Sequence, residues 1–149
     1  DLHASLAPSE MCIRDRHTVE TITSYDDDYL PILDKILASD TIIFASPVYW
    51  YSISAPLKAF IEHWSETLQD KRYPNFKAQM AEKDFRVILV GGDCPKIKAK
   101  PAITQMKYSL DFLGATLNGY IIGTAEKPGD IMKDNYALAR ATEWNSILQ

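Results

Sequence analysis

The sequence predicts an α/β fold built on a parallel sheet, and two observations carry this prediction. Strands are predicted at residues 41–45, 85–90 and 115–122, and the first two are short apolar runs without polar alternation, which is typical of strands covered on both faces. Amphipathic segments with helical spacing separate these runs. Strands that alternate with helices pair in parallel through right-handed crossovers, so we expect helices on the faces of a single sheet.

The first predicted helix follows three consecutive aspartates at residues 26–28. We interpret these carboxylates as favourable partners of the positive helix end rather than as a cation site. Residues 18–23, before the aspartates, are rich in β-branched side chains and are compatible with either a short strand or an extended lead-in. The helix has Pro31 in its first turn and apolar positions at Leu30, Leu33, Ile36 and Leu37.

The first apolar run leads into residues 46–52 (SPVYWYS), here called the aromatic loop. Ser54 and Pro56 suit the cap and first turn of the helix that follows. In open α/β sheets ligands bind outside the carboxyl ends of the strands, so the aromatic loop is a candidate ligand loop. The helix has apolar positions at Leu57, Phe60, Ile61, Trp64 and Leu68.

The second apolar run leads into residues 91–95 (GGDCP), here called the glycine loop. Paired glycines let a backbone approach a ligand closely, although they can also serve only to make a turn. Between the helix that follows the aromatic loop and this strand, residues 69–84 are polar and contain Pro74, which predicts a surface connection.

The remaining elements complete the alternation. A helix is predicted from Pro101 and ends at Gly114, which suits a left-handed cap. In the third strand, Gly119 suggests a bulge or a close approach, and residues 127–129 form a turn. The last helix has apolar positions at Ala137, Ala141, Trp144 and Leu148.

The composition excludes several classes of protein. The 149 residues are enough for one domain with a substantial core. A net charge of -4 without a Lys/Arg stripe argues against a nucleic-acid partner. No apolar stretch reaches the length of a membrane span, two cysteines make no disulfide framework, and three scattered histidines show no metal-ligand spacing. We therefore expect a cytoplasmic protein without a membrane partner.

Residues 1–16 show neither a helical nor a strand period. The hexapeptide at residues 11–16 (MCIRDR) resembles the translation of a transposon end sequence that is used to prepare sequencing libraries. A chance hexapeptide in an ordinary leader is the alternative. We expect residues 1–16 to be a non-native leader and residues 17–149 to be the C-terminal part of the folded domain.

Residues 40–64, most specifically 46–58, resemble the flavodoxin-like family of NAD(P)H-dependent FMN reductases and quinone reductases. That family shows an aliphatic strand, S/T-P-V-Y-W/F, a small-residue stretch and a helix with P/M-K-x-F/I. The resemblance implies a flavodoxin-like doubly wound parallel sheet of order 2-1-3-4-5, with FMN at the switch point. The three predicted strands correspond to the family's third, fourth and fifth.

The sequence departs from the family upstream of these strands. The first strand and its Ser/Gly/Asn/Arg-rich loop, which grips the FMN phosphate, are not found. The chain as it stands is therefore expected neither to hold FMN tightly nor to turn over NAD(P)H.

By position, the resemblance assigns two loops to the flavin ring. Backbone N–H groups of the aromatic loop would bond the ring's polar edge, and aromatic side chains would pack on the ring. Core packing or a dimer surface is the alternative for these aromatics. The implied cofactor-binding residues are Ser46, Pro47, Val48, Tyr49, Trp50, Gly91, Gly92 and Asp93.

The resemblance implies an enzyme that passes hydride or electrons from NAD(P)H through FMN to a quinone, flavin or similar small-molecule acceptor. No side-chain acid or base is required, because the flavin carries the chemistry. A flavodoxin-type electron carrier and a flavin-free binding protein on the same fold are the alternatives. The sequence does not decide between NADH and NADPH, and a homodimer is compatible with it.

Overall fold

The computed structural model describes residues 28–147 of the chain. Within them, three strands form one parallel sheet in the order β1-β2-β3. The strands are β1 (Thr41–Pro47), β2 (Asp84–Gly91) and β3 (Leu117–Thr124). The predicted parallel α/β sheet is confirmed, with β3 beginning two residues later than predicted.

Helices connect the strands and pack on the sheet. The four predicted helices are present, and the one after β1 divides at His63 into two pieces. The helices are α1 (Tyr29–Ala38), α2 (Ala55–Glu62), α3 (Trp64–Thr67), α4 (Phe76–Ala81), α5 (Pro95–Lys98), α6 (Lys100–Phe112) and α7 (Asn135–Ile147), with a 3-10 helix at Asp130–Lys133.

The prediction that residues 69–84 form only a surface connection is wrong in part. Helix α4 lies within this stretch, and its Phe76 and Met80 are fully buried in the main core. These two side chains are four residues apart, so they lie on the same face of the helix. A helix of six residues, fewer than two turns, with two large apolar side chains gives too short a pattern to stand out among polar neighbours.

The main core lies between one face of the sheet and helices α1 to α4 and α6. Ile42 and Phe44 of β1 point into it, beside Phe85 and Val87 of β2. The rings of Phe44 and Phe85 stack with their centroids 6.0 Å apart. This face of the sheet supplies most of the buried apolar surface that stabilises the domain.

Helix α7 packs on the other face, against β3. A Cβ atom on Gly119 would lie 3.1 Å from the Trp144 ring, and Arg86 lies over that ring at 5.0 Å. A register shift between β2 and β3 also falls at this point, opposite residues 117–119. Both roles suggested for Gly119, a bulge and a close approach, are therefore observed. Gly114, which ends α6, has the expected positive φ of 77°.

Among residues 28–147, no element covers the same face at β1, contrary to the prediction that this strand is buried on both sides. Burial alternates along β1, and Ile43 is 42% exposed while Ile42 is 7% exposed. The reason lies in the position of α7, which contacts β3 at the opposite edge of the sheet. An apolar run cannot report which elements cover it.

Two further findings apply to residues 28–147. No helix there is long and apolar enough to cross a membrane, and no cluster of metal-ligating side chains is present among those residues. Asp28 directly precedes α1, but its side chain makes no capping hydrogen bond. The interpretations of residues 1–16, 18–23 and 26–27 fall outside the residues that the structure describes.

Candidate functional site

The loops at the carboxyl ends of all three strands meet around an open cavity of about 800 Å³. Six of the predicted site residues line it: Ser46, Pro47, Val48, Tyr49, Gly91 and Gly92. Trp50 and Asp93 line an adjoining cavity of about 160 Å³ that shares Val48 and both glycines with the first. The structure thus brings the two predicted loops together at one edge of the sheet.

Ser46 ties the two ends of the aromatic loop together. Its buried hydroxyl donates to the carbonyl of Pro47 at 2.8 Å and accepts the backbone N–H of Ser54 at 2.9 Å. Ser54 therefore takes part through its backbone, and its side chain makes no helix cap, contrary to expectation. Pro56 does lie in the first turn of α2, as predicted.

Residues 49–52 form a two-residue hairpin within this loop. The N–H of Tyr49 donates to the carbonyl of Ser52 and the N–H of Ser52 to that of Tyr49, each at 3.0 Å. Trp50 and Tyr51 lie between them with φ of 48° and 63°. A left-handed conformation costs a non-glycine residue roughly 1–2 kcal/mol, so this hairpin, here called the aromatic turn, is strained.

The aromatic turn presents aromatic residues to solvent. Trp50 is 95% exposed and Tyr49 is 62% exposed. Core packing, which was one alternative for these aromatics, is thus excluded for both residues. Exposed aromatic surface beside a cavity is available to a planar ligand.

The hydrogen bonds of the loop limit which donors can reach a ligand. Val48 uses its N–H on the carbonyl of Val90 at 2.8 Å, and those of Tyr49 and Ser52 are used inside the turn. Among the described residues, no carbonyl or side chain accepts from the N–H groups of Trp50 and Tyr51. These two groups are the donors that the aromatic turn can offer to the polar edge of a ligand.

The aromatic turn is joined to the glycine loop through Asp93. The hydroxyl of Tyr51 donates to one Asp93 oxygen at 3.0 Å, and Lys98 Nζ lies 2.8 and 2.7 Å from the two oxygens. The bonds from Lys98 and Tyr51 hold the pKa of Asp93 below its ordinary value, and the bond to Asp93 raises the pKa of Lys98. At neutral pH both groups are charged and paired.

The two glycines allow the loops to approach one another. A Cβ atom on Gly91 would lie 3.1 Å from Val48 Cβ, and one on Gly92 would lie 2.6 Å from Glu126 Cγ. The close approach seen here is between loops, and the predicted approach of the glycines to a ligand stays a prediction. The approach between loops brings the aromatic loop, the glycine loop and the loop after β3 within contact of one another.

Sequence reasoning missed the third loop, which was interpreted only as a turn. Ala125, Glu126, Lys127 and Pro128 follow β3 and form the far wall of the larger cavity. The rule that ligands bind beyond the carboxyl ends of parallel strands applies equally to this loop and would have indicated it. Its residues lack the aromatic or paired-glycine pattern that drew attention to the other two.

The sheet, its helices on both faces and the cavity at the carboxyl ends define a doubly wound α/β protein of the flavodoxin-like class. A family model described as "Flavodoxin-like fold" matches residues 1–144. The chain belongs to this family.

Two curated relatives narrow the comparison. The chain is 45% identical over 127 residues to YwqN of Bacillus subtilis, a protein provisionally named an NAD(P)H-dependent FMN-containing oxidoreductase; the match covers 85% of this chain and 70% of that protein. It is 32% identical over 97 residues to an NADPH:quinone oxidoreductase of Arabidopsis thaliana, covering 62% of this chain and 45% of the relative. Both relatives carry the names of oxidoreductases.

Solved structures agree on the fold. The Trp repressor binding protein from Bacillus subtilis matches with a TM-score of 0.75 and 48% identity, covering 77% of this chain and 68% of its own. General stress protein 14 from Treponema denticola, solved in complex with FMN, matches with a TM-score of 0.62 and 10% identity, covering 83% and 75%. At that identity the second match concerns the fold alone.

Proposed function

We propose that this protein is an oxidoreductase that binds FMN between the three loops and passes hydride or electrons from NAD(P)H to a quinone, flavin or similar acceptor. The observation that carries the proposal is the cavity at the carboxyl ends of β1 to β3, in a chain that belongs to the flavodoxin-like family. The names of the two curated relatives support the same reaction class.

The cavity fits the ring system of a flavin. A volume of about 800 Å³ lies within the range of small-molecule sites. Ala45, Val48, Ile88 and Val90 give it an apolar floor, while the exposed ring of Tyr49 stands at its edge. A planar, largely apolar ring with one polar edge matches such a lining.

The protein groups around this cavity orient and polarise what binds there. The N–H groups of Trp50 and Tyr51 favour a ligand edge that gains negative charge, because fixed donors stabilise such charge without rearranging. The glycine loop and the loop after β3, which contains Glu126, close the opposite side of the cavity. When bound, the flavin accepts hydride from a nicotinamide and delivers electrons to an acceptor, so no side-chain acid or base is needed.

Flavin titration followed by steady-state kinetics tests the proposal. The chain is titrated with FMN and with riboflavin, monitored by quenching of flavin fluorescence, and NADH and NADPH oxidation is then measured with excess flavin and a soluble quinone. Excess flavin is needed because the sequence shows no phosphate-binding loop. The chain is not expected to turn over NAD(P)H with the flavin that it retains by itself. At excess flavin, which fills a weak site, we expect saturable flavin binding and quinone-dependent oxidation above a protein-free control.

Two results would contradict the proposal, each in favour of an alternative. Flavin binding without any oxidation of NADH or NADPH would indicate an electron carrier. Failure to bind either flavin, in a chain shown to be folded by circular dichroism, would indicate a flavin-free use of the fold.

A further inference from the structure

The aromatic turn adopts a strained conformation without a buried side chain of its own to hold it. Trp50 and Tyr51 have positive φ values, and they expose 95% and 44% of their side chains. Strained residues persist only where surrounding contacts determine their conformation. Polar groups on other elements supply contacts that can fix this turn.

Among residues 28–147, two side-chain hydrogen bonds reach the turn from other elements. Ser52 Oγ donates to Gln105 Oε1 of α6 at 2.9 Å, and Tyr51 Oη donates to Asp93 Oδ2 at 3.0 Å. Only the second contact connects one wall of the ligand cavities to the other. It joins the aromatic loop after β1 to the glycine loop after β2.

Asp93 is itself held in place by α5. Lys98 Nζ contacts both carboxylate oxygens, at 2.8 and 2.7 Å, and also lies 5.6 Å from the centre of the Tyr51 ring. The three side chains thus form a closed triangle, in which each member contacts the other two. All three line the smaller cavity between the two loops.

We propose that Asp93 is a positioning residue for the proposed flavin site, which fixes the aromatic turn relative to the glycine loop through Tyr51 and Lys98. The inference rests on the proposed function for its consequence, because the spacing of these two loops sets the width of the gap that a flavin ring would enter. It does not require Asp93 to touch the ring.

The geometry separates this role from a general contribution to stability. The Asp93–Lys98 pair is exposed, with 60% and 45% of the two side chains accessible. Exposed pairs contribute little to the free energy of unfolding, so their loss should leave the melting temperature nearly unchanged. A positioning role is instead expected to alter the order of the turn and the affinity for flavin.

The test compares Asp93→Ala, Tyr51→Phe and the double variant with the parent chain. Glu143→Gln is the matched control, because Glu143 also forms an exposed pair, with Arg140 on α7, far from the site in sequence. Amide hydrogen exchange of Tyr49 and Ser52 reports on the order of the turn. The dissociation constants of riboflavin and FMN report on the width of the gap between the aromatic loop and the glycine loop.

We expect Asp93→Ala and Tyr51→Phe each to speed exchange of the Tyr49 and Ser52 amides by about fivefold and to raise both flavin dissociation constants by about three- to tenfold. The double variant should match the more affected single variant, because both substitutions break the same contact. Glu143→Gln should match the parent in every measurement.

Unchanged amide exchange in Asp93→Ala would overturn the proposal, and so would additive effects in the double variant. Faster exchange with unchanged flavin affinity would also overturn it, since the turn would then be irrelevant to the gap. If the parent binds neither flavin, the proposed function is wrong, and the exchange rates still decide whether Asp93 holds the turn.

Discussion

Trp50 combines two properties that are separately uncommon in a folded protein. Its side chain is 95% exposed, and its backbone has a positive φ, which bulky residues rarely adopt. Neither property stabilises the fold. Their coincidence at a strand end beside a cavity is consistent with a side chain retained for a ligand, because strained residues concentrate at functional sites.

We expect Trp50→Ala to change the free energy of unfolding by no more than about 0.5 kcal/mol while it weakens flavin binding. The ring contributes almost no buried area to the fold, and its removal takes away contact surface for a planar ligand. Urea unfolding and riboflavin titration measure the two effects.

Tyr108→Ala is the matched control, because Tyr108 on α6 is likewise exposed, at 66%, and lines neither cavity of the site. It should leave both stability and flavin affinity unchanged. Equal flavin affinities for Trp50→Ala and the parent would remove Trp50 from the proposed site.

At the scale of single elements, the two faces of β1 differ in burial, and each carries an isoleucine. Ile42 points into the main core and Ile43 points to the face that α7 leaves uncovered. We expect Ile42→Ala to cost about 2–5 kcal/mol of unfolding free energy and Ile43→Ala to cost about 1 kcal/mol or less. Chemical denaturation of the two variants compares the faces directly.

Equal losses for the two isoleucines would mean that the second face of β1 is also covered in solution. In that case the alternating burial seen among residues 28–147 would be an incomplete description of the strand. A loss for Ile43→Ala that depended on protein concentration would identify the cover as another molecule.

Helix α7 depends on a carboxylate at its start. Asp134 exposes only 9% of its surface, accepts the N–H groups of Thr124 at 2.9 Å and Ala137 at 3.1 Å, and pairs with Lys96 at 3.2 Å. Burial acts to raise the pKa of Asp134, but these backbone bonds and the Lys96 ammonium outweigh it, so that the pKa is lowered. The carboxylate thus joins the end of β3 to α7.

We expect Asp134→Asn to cost about 1–3 kcal/mol at neutral pH, because an amide cannot replace both charge-assisted bonds. Because the pKa of Asp134 is lowered in the folded chain, the Asp134 carboxylate of the unfolded chain takes up its proton at a higher pH than that of the folded chain. The stabilisation from Asp134 is therefore complete above the ordinary aspartate pKa and is lost as the pH falls through the lowered value.

Urea unfolding of parent and variant across acidic pH checks this expectation. The difference in stability between them should narrow as the pH falls. A difference that stays constant down to the most acidic pH at which the parent folds would show that the carboxylate charge is not what stabilises α7.

At the scale of the whole molecule, the candidate site described above consists of loops proposed to contact the ring of a flavin. The resemblance gives no reason to expect, among these loops, the Ser/Gly/Asn/Arg-rich loop that binds the FMN phosphate in that family. A phosphate held by several charge-assisted bonds, each worth roughly 1.5–3 kcal/mol, would make FMN bind far more tightly than riboflavin. Without them the two flavins should bind alike.

We therefore expect dissociation constants for FMN and riboflavin that agree within about threefold, a difference of under about 1 kcal/mol. Isothermal titration of the chain with each flavin measures the ratio. A preference for FMN of a hundredfold or more would show that this chain holds a phosphate site that neither the sequence pattern nor residues 28–147 revealed.

The pattern of the sequence is sufficient to predict the architecture and most of the candidate site. Apolar runs separated by amphipathic segments allow few arrangements other than a parallel sheet with helices on its faces, because each apolar stripe must be buried. Parallel strands then bring their carboxyl ends to one edge, which is why the aromatic and glycine loops could be placed together before the structure was known.

The features that depend on contacts between distant residues became known from the three-dimensional structure. The left-handed turn at Trp50 and Tyr51 contains neither glycine nor asparagine, so no local sequence pattern predicts it. The link from Tyr51 to Asp93 joins residues 42 positions apart. The exposure of the second face of β1 among residues 28–147 also depends on where α7 packs. Local apolar character shows that a residue can be buried, but it does not show which element buries it.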